Sequence, residues 1–115
     1  NVVYDPVGDS YSEPCIRATA WDGRYLVIGF AAGEIPKIPI NLALLKGMKI
    51  VGVFWGAWVG MNPLENKKNF EELFKLHSEG KINPEVSDSF SLNDGAKAIA
   101  HLKDRKAKGK VIITI

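Results

Sequence analysis

Three short apolar runs, NVVYD (residues 1–5), RYLVIGF (24–30) and MKIVGVFW (from Met48 to Trp55), punctuate the first half of the chain. The stretches between them carry helical patterns and short turns. This alternation constrains the fold more than any single motif. Strand, helix, strand, helix, strand with short connections is the pattern of a parallel α/β sheet, in which each crossover helix returns the chain to the same end. The second and third runs are continuously apolar rather than alternating, as in strands covered on both faces.

Local signals place the helices. SEPCIRATA predicts one, with Ser12 as N-cap and Pro14 in its first turn, ending near Asp22-Gly23. NLALLKG starts at Asn41 and stops at Gly47. Asn62, Pro63 and Glu65 fit N-cap, N1 and N3 of a longer helix. Its Phe70, Leu73, Phe74 and His77 share one face, and Gly80 suits a left-handed C′ position. After a loop, SLNDGAKAIAHLKDRKA predicts a last helix with Ala96, Ile99 and Leu102 inward. KVIITI (110–115) predicts a final strand.

A chain of 115 residues suffices for one domain with a core. Its net charge of +2 is too small for a dedicated nucleic-acid binder, which concentrates a basic face. The basic stretch KDRKAKGK (103–110) reads as a solvated helix end, with a phosphate contact as the sharper alternative. One cysteine, Cys15, allows no internal disulfide or thiolate metal knuckle and suits a reducing compartment, the cytoplasm first and the mitochondrion second. No run approaches the roughly 20 apolar residues of a membrane span. The chain opens in strand-like NVVYD without a methionine, which reads as a cut end.

Parallel sheets present ligands to the carboxyl ends of their strands. Here those ends read DPVGD, GFAAG and FWGAWVG, all rich in small residues that let a ligand approach the backbone. The spacing in GFAAG is G-x-x-x-G, not the G-x-G-x-x-G of a dinucleotide fingerprint. Acid–base and nucleophilic motifs are absent: there is no G-x-S-x-G elbow, His77 and His101 read as packing or surface residues, and Asp5 before Pro6 reads as a turn residue. Phe54, Trp55 and Trp58 suit packing, an interface or the wall of a flat heterocycle.

The strings VVYDPVG, ATAWDGRYLVIGFAAG, NLALLKGMKIVGVFWG and DRKAKGKVIITI resemble the carboxyl-terminal part of the medium-chain dehydrogenase/reductase superfamily, in its zinc-independent NADPH:quinone oxidoreductase-like branch. The resemblance implies the second half of a Rossmann-type parallel sheet, about three strands with flanking helices, plus a carboxyl-terminal helix and strand. Residues 1–81 would belong to the cofactor domain, and 82–115 would return to the catalytic domain. NADPH is the implied cofactor, with NADH second, and no zinc is expected in this part. Asp5, Val7 and Gly8 would line the crevice; Ile28, Gly29 and Phe30 would lie against nicotinamide and ribose. Val53 and Trp55, with Phe54 and Gly56 beside them, would hold the carboxamide through backbone groups, and Arg105 would approach the cofactor phosphates. The intact protein would reduce a quinone or enone-type substrate as a homodimer paired through the Met48 to Trp55 strand, while this chain alone would be inactive. The alternative is a stand-alone oligomerisation or scaffold domain derived from that fold.

Overall fold

β1 (Val2–Asp5), β2 (Arg24–Val27) and β3 (Lys49–Gly52) form one parallel sheet in that order, with Val3 opposite Tyr25 and Tyr25 opposite Ile50. The computed structural model describes all 115 residues and divides them into two compact units, Asn1–Pro63 and Leu64–Ile115. In the first, α1 (Ser12–Ala18) links β1 to β2 and α2 (Asn41–Lys46) precedes β3. Ile16, Tyr25, Leu42 and Met48 form its buried core, flanked by Val3, Cys15, Val27, Ile38 and Ala43. Gly47 ends α2 as expected, in the left-handed conformation, and the Lys46 ammonium donates to the Arg17 and Thr19 carbonyls at the end of α1.

Two strands are shorter than their apolar runs. β2 stops at Val27 because the Ile28 and Gly29 amides both turn to the Asp5 carbonyl. The run from Met48 to Trp55 contributes only Lys49–Gly52 as strand. Its aromatic end turns into α3 (Trp55–Met61), which opens with the Trp58 amide donating to the Phe54 carbonyl. Ser12 is not the N-cap of α1, since its hydroxyl is drawn away to Asp5. Asn62 likewise bonds back to the Trp58 carbonyl instead of capping the next helix.

α4 (Pro63–Ser78) begins at the expected proline, and Gly80 succeeds it at φ 69. The domain change expected from the sequence lies after α4, at 81/82. By packing, α4 groups with the residues on its carboxyl side, because Lys81 and Ile82 donate back to Leu76 and the His77 ring meets the Ile82 carbonyl. Within the second unit the segment expected to be loop contains β4 (Val86–Ser91), paired in parallel with β5 (Lys110–Thr114) through the crossover helix α5 (Gly95–Lys103). The inward face of α5 is rotated from the expected one. Ala98 is buried, whereas Ala96 is exposed and Ile99 and Leu102 are 68% and 54% exposed. A small residue lets the helix sit close to the strands, and one residue along a helix turns the buried face by about 100°.

Candidate functional site

Asp5, the last residue of β1, is 6% exposed and holds a turn together with its carboxylate. Oδ1 accepts from the Val7 amide at 2.8 Å and the Gly8 amide at 2.9 Å. Oδ2 accepts from Ser12 Oγ at 3.0 Å and from the Tyr25 hydroxyl. Burial pushes the Asp5 carboxyl up, but the Tyr25 hydroxyl, the Gly8 and Val7 amides and the Ser12 hydroxyl together hold it below its ordinary value. Burial and the neighbouring Asp5 carboxylate push the Tyr25 phenol up to about 12. The proton therefore stays on tyrosine and the charge on aspartate.

The turn that Asp5 holds touches the end of β2. Gly8 sits at φ 74 and ψ −148, a region essentially confined to glycine. A Cβ there would stand 2.8 Å from Phe30 Cδ1. The Ala31 amide donates to the Pro6 carbonyl, and Ala32 to Val7, so the ends of β1 and β2 are stitched into one ridge.

Beside that ridge lies an open slot of ≈470 Å³, lined by Val27, Ile28, Gly29, Phe30, Gly52, Val53 and Phe54. The structure thus brings Ile28, Gly29, Phe30, Val53 and Phe54 together, while Val7 and Gly8 do not line the slot and Gly8 lies against Phe30. Trp55 and Gly56 come next in the chain, in the first turn of α3, and do not line the slot. Arg105 belongs to the second unit, where it takes the left-handed position that ends α5, at φ 56. Sequence reasoning missed Gly52 and Val27 on the wall and the donors Ser12 and Tyr25 behind it. Tyr25 was findable in principle: parallel register puts it on the same side of the sheet as Asp5, two positions along.

The slot can admit a flat, largely apolar ring. Its wall is apolar, glycines keep the backbone open, and the Phe54 N–H and Val53 C=O have no hydrogen-bond partner within the chain. A larger hollow of ≈560 Å³ lies elsewhere in the first unit, between α1 and residues 34–38. Its charges are on the surface, Glu13 and Arg17 already pair with each other at 2.6 Å, and none of the expected contact residues lines it. The chemistry therefore favours the smaller slot.

Residues 1–113 match the family described as zinc-binding dehydrogenase. The chain belongs to that family. It is 35% identical over 114 residues to a quinone oxidoreductase-like protein 2 homolog of Nematostella vectensis, covering 98% of this chain and 31% of that protein. A quinone oxidoreductase structure from Pseudomonas syringae superposes with a TM-score of 0.82 at 23% identity, covering 99% of this chain and 35% of that one. A complex of Etr1p with NADP and crotonyl-CoA superposes with a TM-score of 0.80 at 19% identity, covering 100% and 32%. The chain thus spans about a third of the length of the curated relatives it matches. The medium-chain dehydrogenase/reductase resemblance and the α/β parallel architecture hold. The pair β4–β5 replaces the single final strand of the expectation. No group of three or more His, Cys, Asp or Glu side chains in these 115 residues could hold a metal ion. No helix is long and apolar enough to cross a membrane.

Proposed function

We propose that this chain supplies the nicotinamide end of a cofactor-binding domain in an NAD(P)H-dependent oxidoreductase of the quinone reductase type, with NADPH the first choice of cofactor. The supporting observation is the slot itself: Ile28, Gly29, Phe30, Val53 and Phe54, drawn from two strand ends, converge on one apolar wall. When bound, the reduced nicotinamide supplies a hydride to a quinone or enone-type carbonyl substrate. Phe30 and Phe54 flank the flat ring and exclude water from one face. The Val53 carbonyl and neighbouring backbone N–H groups fix the carboxamide, which decides the face offered to the substrate. Arg105 is the phosphate contact in this reading, residues 82–115 return to the catalytic domain, and the metal-free branch applies. β3 ends the three-stranded sheet with all four residues exposed, which suits pairing with a second copy. The pyrophosphate needs a glycine-rich loop that this sequence does not carry, so the 115 residues alone are expected to be inactive.

Gly29→Val in the intact protein that carries this sequence tests the site. A Cβ there would meet only the Pro6 carbonyl oxygen, at 3.4 Å, so the backbone leaves room for an added side chain at a residue that lines the slot. The expected result is a cofactor KM raised about tenfold or more with an unchanged melting temperature. An unchanged KM would move the nicotinamide elsewhere, and no NADPH- or NADH-dependent reduction of quinones or enones by the unsubstituted protein would end the reading.

A further inference from the structure

Asp5, Ser12 and Tyr25 form a buried cluster that does not line the slot, yet Asp5 is bonded to residues that do. Four donors converge on one carboxylate: the Val7 and Gly8 amides on Oδ1, and the Ser12 and Tyr25 hydroxyls on Oδ2. Meanwhile the Asp5 main-chain carbonyl accepts from Ile28 and Gly29, which line the slot. One residue therefore holds both ends of the ridge. Its side chain fixes the turn at Gly8, and its backbone fixes the strand end that carries Phe30.

The contact between those ends is close. Gly8 lies so near Phe30 that a single added carbon would meet the ring at 2.8 Å. The Phe30 ring therefore rests on the Gly8 backbone, and moving the turn moves the ring. Phe30 is 40% exposed and lines the slot.

We infer that Asp5 is a positioning residue for the nicotinamide slot: through the Val7 and Gly8 amides it sets where Phe30 stands, and so how tightly the cofactor's ring end is held. Ser12 and Tyr25 serve the same end by anchoring the other carboxylate oxygen, which stops the side chain from rotating away from the turn. A purely structural Asp5 would contribute to stability and leave the affinity of the folded molecules unchanged. The positioning role rests on the nicotinamide reading above and adds to it a residue outside the contact surface.

Asp5→Asn in the intact protein separates these possibilities, because asparagine can still accept from an amide while its NH2 faces two hydroxyls able to accept. The protein should therefore fold, with weaker, uncharged bonds to the turn. Two measurements are made on it. In the cofactor-free protein, amide exchange at Val7 and Gly8 should quicken about tenfold while the core amides of β2 stay protected. In NADPH titrations the dissociation constant should rise about five- to tenfold, with kcat at saturating cofactor changed less than about twofold. Tyr25→Phe, which leaves both amide bonds intact, should lower the melting temperature and raise the dissociation constant less than Asp5→Asn does. Normal cofactor affinity in Asp5→Asn, beside an unsubstituted protein that binds NADPH, overturns the positioning role and leaves the nicotinamide reading standing. Failure of the unsubstituted protein to bind NADPH or NADH overturns both.

Discussion

The two units differ in how far their apolar residues find partners inside the chain. The first buries Ile16 completely and closes Tyr25, Leu42 and Met48 around it, with Asp5, Ser12 and Thr19 as satisfied buried polar groups. The second buries one residue, Ala98, and leaves Phe74 68%, Ile99 68% and Ile113 44% exposed. Both halves show helical and strand periodicity, so the difference lies in packing rather than in local propensity. An amphipathic pattern specifies an element, and only a complementary face turns that element into stability. The largest expected effect breaks the comparison at this point. Ile16→Ala should cost about 2–5 kcal/mol in urea unfolding, since it opens a cavity in a closed core. Ile99→Ala should stay within about 0.5 kcal/mol, because that side chain is already in water. Equal costs at the two positions would mean that Ile99 has a partner in solution.

Backbone geometry sharpens the same contrast at two glycines with positive φ. Gly80 sits at φ 69 in open space, where an added methyl meets nothing within 4 Å. Gly8 combines φ 74 and ψ −148 with the Phe30 ring 2.8 Å from the missing Cβ. Gly80→Ala should therefore cost about 1 kcal/mol, the ordinary expense of a left-handed alanine. Gly8→Ala should cost about 3 kcal/mol and also displace Phe30. Thermal melts rank the two, and Phe30 ring resonances report the displacement only for Gly8→Ala.

Legibility divides along the same line. The parallel α/β pattern, the start of α4 at Pro63 and the turns at Gly47 and Gly80 were readable from periodicity and punctuation, because local rules decide them. β4 was not, since VSDSFS carries four polar residues in six and owes its extended form to pairing with β5. The inward face of α5 was displaced by one residue because the closest approach is made by alanine rather than by the bulkier Ile99. At the slot, small residues after the strands pointed to the strand ends, and the family resemblance named Ile28, Gly29, Phe30, Val53 and Phe54 there, which the structure places side by side. The aromatic run FW concealed the change from strand to α3, so Trp55 and Gly56 fall in a helix instead of on the wall. The Asp5 cluster was hidden for a different reason: its side-chain donors lie 7 and 20 residues away, Ser12 brought back by α1 and Tyr25 by the parallel register.

Titration gives the smallest of these contrasts and the most selective. Tyr25 is raised to about 12 by burial and by the Asp5 carboxylate, so the folded chain keeps a proton that the unfolded chain releases near pH 10. Its contribution to stability is therefore complete below about pH 10 and is lost as pH rises through about 12. Asp5 is lowered, because its four donors outweigh the burial that would raise it, so its contribution is present above about pH 4 and lost as pH falls through the lowered value. The first unit thus has both an acid and an alkaline limb built on one hydrogen bond. In the second unit Asp88 and Asp94 are also lowered, chiefly by the Ser87 hydroxyl and by Lys97 respectively, and both act only on the acid side. Tyr25→Phe should cost about 1 kcal/mol at neutral pH, flatten the fall in stability between pH 10 and 12, and weaken the acid limb without abolishing it, since the Gly8 and Val7 amides and the Ser12 hydroxyl still hold Asp5 down. Urea midpoints measured across that range check it. A fall that persists unchanged in Tyr25→Phe would assign the alkaline limb to another group and separate Tyr25 from the charge on Asp5.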